Sequence, residues 1–183
     1  MKSIWLAVVL IVLAAGATLL LAQSAPNGPL KEHEWLQQFV GEWESTSEMV
    51  AGPDQPPQQG TSTESVRAIG GYWIVAETHG NFMDTQVTGI MTLGYDTLKR
   101  QYIGTWIDST NSYCWLYTGQ LDATENILTL ETEGPNPFQP GNTARYRDVV
   151  EFTDADHRIL TSSALDGSGN WVTFLTAKYQ RKK

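Results

Sequence analysis

The stretch TSTESVRAIGGYWIVAETH, Thr61 to His79, decides the fold. Its two arms, Thr61 to Ile69 and Tyr72 to His79, are rich in β-branched and aromatic residues read at a period of two. Gly70-Gly71 between them is a two-residue hairpin signal, because glycine supplies the positive φ that a tight turn between antiparallel strands needs. Outward from this hairpin the period of two persists. Upstream, Glu42 to Met49 reads as a strand, followed by a loop from Val50 to Gly60 whose Gly-Pro-Asp-Gln-Pro-Pro cannot pair in a sheet. Downstream, Thr85 to Tyr95, Gln101 to Ser109, Tyr113 to Leu121, Ile127 to Glu133, Thr143 to Phe152, Arg158 to Ala164 and Asn170 to Gln180 read as strands separated by short Asp, Thr, Asn or Gly turns. Gly134 to Gly141, with three prolines, reads as a loop at a barrel mouth rather than a linker.

Ten short antiparallel strands left as an open sheet would expose two edges. Closure removes them, so the expected fold is all-β, a ten-stranded up-and-down barrel. The period is helical only before the first strand, over Leu30 to Val40, where Trp35, Leu36, Phe39 and Val40 fall on one side and Gly41 ends the run. This helix is expected to plug one end. Eight strands enclose little more than their own side chains and diameter grows with strand number, so ten should leave a cavity.

The 183 residues, 41% apolar and 17% charged, match a single globular domain. A net charge of −8, with Arg181, Lys182 and Lys183 as the lone basic cluster, opposes an electrostatic grip on nucleic acid or anionic lipid. Lys2, the uncharged run from Ile4 to Ala22 and the small residues of Ala22-Gln23-Ser24 read as an export signal over residues 1–24. The run is also about as long as the roughly 20 residues that span a bilayer, so an uncleaved N-terminal membrane anchor is the alternative. Either way the domain is expected outside the cytoplasm, periplasmic or secreted. Residues 25–29 form a spacer and residues 30–183 the barrel domain. Cys114 is the single cysteine, so no internal disulfide is possible; beside Trp115 it reads as a small buried hydrophobe.

An ordered set of motifs runs along the domain: Gly41-Glu42-Trp43, the stretch from Arg67 to Glu77, Leu93-Gly94-Tyr95-Asp96, the stretch from Tyr102 to Ser109, and Tyr179-Gln180-Arg181-Lys182. This set resembles the bacterial family catalogued as domain of unknown function fifteen-seventy-nine over about residues 29–183. The resemblance implies a lipocalin-like, calycin-type barrel and carries over no substrate, cofactor or catalytic residue. A more distant similarity is to nitrobindin-type haem barrels. By the same resemblance Trp43 is expected at the closed end under a basic side chain of the last strand, Lys178 or Arg181, with Gly41, Gly70 and Gly71 in structural roles.

The strand faces supply the ligand-pocket candidates. Tyr102, Trp106 and Asp108 share one face, and Tyr113, Trp115 and Tyr117 share another; if both point inward they form flat, hydroxyl-bearing walls suited to a small apolar or amphipathic molecule. Trp73, Glu77 and His79 share a third face. The alternatives are a structural or interaction barrel with a filled interior, and an enzyme using Glu77 with Asp108 or His79. Against catalysis, Glu77 is expected to pair with Arg67 across the hairpin and His79 to be solvated in a loop.

No catalytic residue, metal ligand or cofactor is assigned. His33, His79 and His157 lack metal spacing, the Asp-rich turns lack the form of a calcium loop, and no Gly-x-Ser-x-Gly elbow occurs. Haem would need one axial histidine, for which His79 and His157 are the candidates, although His157 follows the Asp154-Ala155-Asp156 turn that favours solvent.

Overall fold

A computed structural model describes residues 28–50, 56–82, 85–137, 139 and 141–183. The expected signal or anchor over 1–24, and most of the spacer, lie outside these residues. Among the described residues, no helix is long and apolar enough to cross a membrane.

Ten strands follow one short helix, α1 (Lys31–Leu36): β1 (Gly41–Met49), β2 (Gln58–Ile69), β3 (Trp73–Phe82), β4 (Thr85–Asp96), β5 (Gln101–Asp108), β6 (Trp115–Leu121), β7 (Ile127–Pro135), β8 (Thr143–Phe152), β9 (His157–Leu165) and β10 (Trp171–Arg181). Each pairs antiparallel with its sequence neighbours, and β1 pairs with β10, from Trp43 opposite Arg181 to Met49 opposite Leu175. The sheet is therefore the expected closed up-and-down barrel with no free edge.

The helix is shorter than expected. α1 gives way to a 3₁₀ turn over Gln37–Phe39, and Gly41 then takes φ +132°, a conformation that a side chain would strain. The Gly-Gly hairpin differs by one residue. Gly70 (φ 60°) and Gly71 (φ 75°) make the tight turn, closed by the Tyr72 N–H donating to the Ile69 carbonyl at 3.2 Å, but Ile69 pairs with Trp73, so the connection has three residues. β6 starts at Trp115 rather than Tyr113, whose N–H is taken by the Asn111 side chain at 2.8 Å. Cys114, expected to be buried, is exposed just ahead of β6.

α1 and the 3₁₀ turn close one end. Leu36 and Trp43 are fully buried, Trp35 and Phe39 nearly so, and Phe152 meets the rings of Trp35, Phe39 and Trp43 edge to face. The end is tied by indole N–H groups: Trp43 donates to the Phe39 carbonyl at 2.7 Å and Trp35 to the Glu125 carbonyl at 2.7 Å. Around them, inward-facing Ile74, Leu93, Tyr102, Leu128 and Leu130 are at most 1% exposed, which makes this half a solid core.

Candidate functional site

The other half of the barrel, at the end opposite α1, is built differently. Inward-facing Met49, Met91, Trp106, Trp115, Tyr146 and Asp148 sit inside a closed sheet yet keep partial solvent accessibility. This half, the open half of the barrel, is thus less completely buried than the α1 end, although Met91, Trp106 and Trp115 still pack against the core.

Two indoles form its walls. Trp106 on β5 and Trp115 on β6 are register partners. Each lies flat on a glycine of a neighbouring strand: a methyl group built on Gly89 would stand 2.1 Å from the Trp106 ring, and one on Gly134 2.1 Å from the Trp115 ring. The two glycines thus provide the clearance. Trp115 continues into an aromatic arc through edge-to-face contacts with Tyr113 and Tyr146, both with ring centroids 5.1 Å away, and Tyr146 meets Phe174 at 6.2 Å. Phe174 occupies a bulge in β10 between Thr173 and Leu175, and its carbonyl accepts from the Val50 N–H at 2.8 Å. The tyrosine hydroxyls are anchored to the end of β7, Tyr113 donating to the Glu133 carbonyl at 3.0 Å and Tyr146 to that of Pro135 at 2.6 Å.

Two carboxylates face this space. At the mouth, Asp108 accepts from the Trp106 indole N–H at 3.0 Å and from the Thr110 N–H at 2.8 Å. Partial burial pushes its pKa up, but hydrogen bonds from Thr110, Trp106 and Asn111 outweigh this and hold it below the ordinary aspartate value. Deeper in, Asp148 on β8 accepts from the Tyr117 hydroxyl at 2.8 Å. Here burial dominates over the hydrogen bonds from Ser162 and Tyr117, and the carboxyl is raised above its ordinary value. Tyr117 is itself pushed up by burial and then by the Asp148 charge.

The floor is a buried ion pair. Arg158 on β9 bonds Glu64 on β2, both nearly inaccessible, and Glu64 also accepts from the Thr78 hydroxyl at 3.2 Å. The Arg158 guanidinium lies 4.2 Å over the Tyr179 ring and 4.6 Å over Trp43. Arg181, not Lys178, is the basic residue of the last strand that covers Trp43, at 4.2 Å; Lys178 points outward and is exposed. The Arg181 guanidinium is spent on backbone carbonyls, Val40 at 2.6 Å and Gln38 at 2.9 Å among them.

The structure thus brings Trp106, Asp108, Tyr113, Trp115 and Tyr117 together, and separates three other candidates from them. Tyr102 faces inward but belongs to the solid core, donating to the Glu32 carbonyl at 3.1 Å. Trp73 and Glu77 are on the outer face, because β3 turns Ile74 and Ala76 inward, and the Trp73 indole covers Gly94 from outside. Glu77 and Asp108 therefore lie on opposite faces of the sheet and cannot act as a pair. Glu77 does not meet Arg67; it meets His79, on the strand rather than in a loop, at 3.0 Å with both side chains more than half exposed. An outer groove of about 830 Å³ runs past His79, lined by polar groups including Thr46, Thr61, Thr63 and Gln86.

Sequence reading missed Asp148, Tyr146, Glu64 and Arg158. The signal available was parity: Tyr146 and Asp148 alternate in step with Val150 and Phe152. No group of metal-ligating side chains occurs among the described residues. Nor do the histidines fit an axial haem ligand in the lumen. His33 is buried in the helix, its ring nitrogens meeting the Leu30 N–H and the Tyr95 carbonyl, while His79 and His157 are exposed.

Two solved structures share the fold. An S-type phycobiliprotein lyase, CPES from Guillardia theta, matches with a TM-score of 0.54 at 15% identity, covering 85% of this chain and 99% of its own. Rv2717c from M. tuberculosis matches with a TM-score of 0.60 at 11% identity, covering 84% of this chain and 99% of its own. No curated protein matches the sequence. The family model described as protein of unknown function (DUF1579) matches residues 28–181, and the chain belongs to that family.

Proposed function

We propose that the protein is an exported binding module that holds one small apolar or amphipathic molecule in the open half of its barrel. The observation that carries this reading is the division of the interior into two halves. Residues at the α1 end pack a solid core, whereas at the other end the indoles of Trp106 and Trp115 lie against glycines of the neighbouring strands and stay partly accessible. Flat apolar walls with a few fixed polar groups are the usual make-up of a small-molecule site. A barrel filled for structural purposes would have no reason to keep aromatic surface wet, since burial of apolar surface stabilises by about 25 cal/mol per Å². Export rests on the sequence: Lys2, the uncharged run to Ala22 and the small residues at Ala22 and Ser24.

Intrinsic tryptophan fluorescence titrated against fatty acids, quinones, haem and aromatic metabolites tests the reading. A saturable change with at least one class is expected. Silence across the whole panel from the folded protein contradicts it. Fractionation of the host tests export: the mature chain, lacking residues 1–24, is expected in the extracytoplasmic fraction, and a full-length cytoplasmic chain contradicts it.

A further inference from the structure

We propose that the ligand of the open half is an organic cation, an ammonium or similar group on an apolar body, with its charge seated by Asp148 and Tyr117 and its body against Trp106, Trp115 and Tyr146. The inference rests on the binding reading above and adds the ligand's charge.

The charged groups facing the lumen set the sign of the ligand. Among the described residues, the inward-facing cations are Arg158 and Arg181, and both are committed at the closed end: Arg158 to Glu64 and the rings of Phe39, Trp43 and Tyr179, Arg181 to backbone carbonyls and Trp43. The basic residues of the neighbouring strands turn outward. Arg145 and Arg147 pair with Glu131 on the outer face, and Lys178 is exposed. The inward carboxylates of the open half, Asp108 and Asp148, thus have no cationic partner. The groups facing Asp148 from the packed strands are Tyr117 on β6, Ser162 on β9 and Tyr179 on β10, with the self-paired Glu64 and Arg158 below; Tyr117 and Ser162 are neutral donors.

A second observation marks the same region. Thr132, more than nine-tenths buried on the inward face of β7 and opposite Tyr146 in register, has a hydroxyl with no hydrogen-bond partner. A ligand group that reached it, donor or acceptor, would satisfy it. Aromatic faces add to the fit, because a cation within about 6 Å of a ring centroid is attracted by the ring quadrupole. An anionic ligand would meet two carboxylates and no free cation. The excess of 20 acidic over 12 basic residues also draws cations toward the molecule. Burial raises Asp148, and a bound cation would favour its ionised form, so binding should strengthen as pH rises through the Asp148 titration.

The test uses three matched probes, benzyltrimethylammonium, its neutral isostere neopentylbenzene and the anion phenylacetate, followed by calorimetry and tryptophan fluorescence. The cation is expected to bind roughly tenfold or more tighter than the isostere, about the range of a desolvated cation–π contact with a carboxylate nearby. Asp148→Asn is expected to remove that preference, bringing the cation and the isostere to similar affinity. Asp108→Asn, at the mouth, should weaken the cation to a lesser degree and serves if Asp148→Asn fails to fold. Equal or tighter binding of isostere or anion overturns the charge assignment but leaves the binding reading standing. Binding by none of the three also overturns it, and the binding reading then fails as well only if the wider fluorescence panel is silent.

Discussion

Trp106 and Trp115 stand opposite each other across the β5–β6 ladder, both on the inward face and both incompletely buried. Trp106→Leu or Trp115→Leu should weaken binding of any ligand that the parent takes up while the fold survives, since leucine keeps apolar bulk but loses the flat surface. The Trp106 change also removes the N–H that orients Asp108. Fluorescence or calorimetric titration beside thermal unfolding checks this. Large stability losses with unchanged affinity would mean that the indoles are packing residues.

The glycines beneath them give an independent handle. In Gly134→Ala and Gly89→Ala the new methyl would fall 2.1 Å from an indole atom, so the ring must move into the lumen. Such overpacking costs about 1–3 kcal/mol. The displaced ring should also reduce the volume left for a ligand, and a titration of both variants reads this directly.

At the closed end, Trp43→Ala removes a fully buried indole, its hydrogen bond to Phe39 and the ring beneath two guanidiniums. A loss of about 3–5 kcal/mol is expected, as for other large-to-small core changes. For a domain of this size each kcal/mol is roughly 2–4 °C in Tm. A shift of only a degree or two would contradict the packing described.

Glu64→Ala leaves Arg158 charged and unpaired in a nearly inaccessible position. Breaking a buried pair from one side costs roughly 3–5 kcal/mol. Replacing both residues by apolar ones of similar volume should cost much less, and denaturant unfolding of the single and double variants measures the difference.

Asp148 predicts a pH signature. Its raised folded pKa means that, above the ordinary aspartate value of about 3.9, the unfolded chain releases a proton that the native state retains. Stability conferred by this group therefore falls as pH rises through that window. Tyr117 and Tyr179 face it but are pushed above the ordinary tyrosine range, so they stay protonated there. Asp148→Asn should thus gain on the parent in Tm from about pH 4 upward. Parallel Tm curves would contradict the burial of this carboxyl.

The strands were legible because a two-residue period survives in nearly every segment, and closure followed from the need to hide edges. Facing was legible only where one face is plainly bulkier. In β5, Tyr102, Gly104 and Trp106 contrast with Ile103, Thr105 and Ile107, and the aromatic face is the inner one. In β3 both faces are apolar, Trp73 and Val75 against Ile74 and Ala76, and the three-residue turn, which shifts the register, selects Ile74 and Ala76. Asp148 shared the inward parity of Val150 and Phe152, whereas Glu64 and Arg158 were illegible because charged residues are rarely buried unless paired, and pairing across 94 residues leaves no local mark.

The central claim is that a small molecule occupies the half of the barrel opposite α1. Indole ¹H–¹⁵N spectra test it most directly, because the tryptophans sample every region: Trp35 and Trp43 in the closed end, Trp73 outside, and Trp106 and Trp115 in the lumen. Adding the members of the fluorescence panel and benzyltrimethylammonium in turn, the account predicts saturable shifts of the Trp106 and Trp115 signals with Trp35, Trp43 and Trp73 unmoved. Shifts confined to those three, or none with any member, would contradict it.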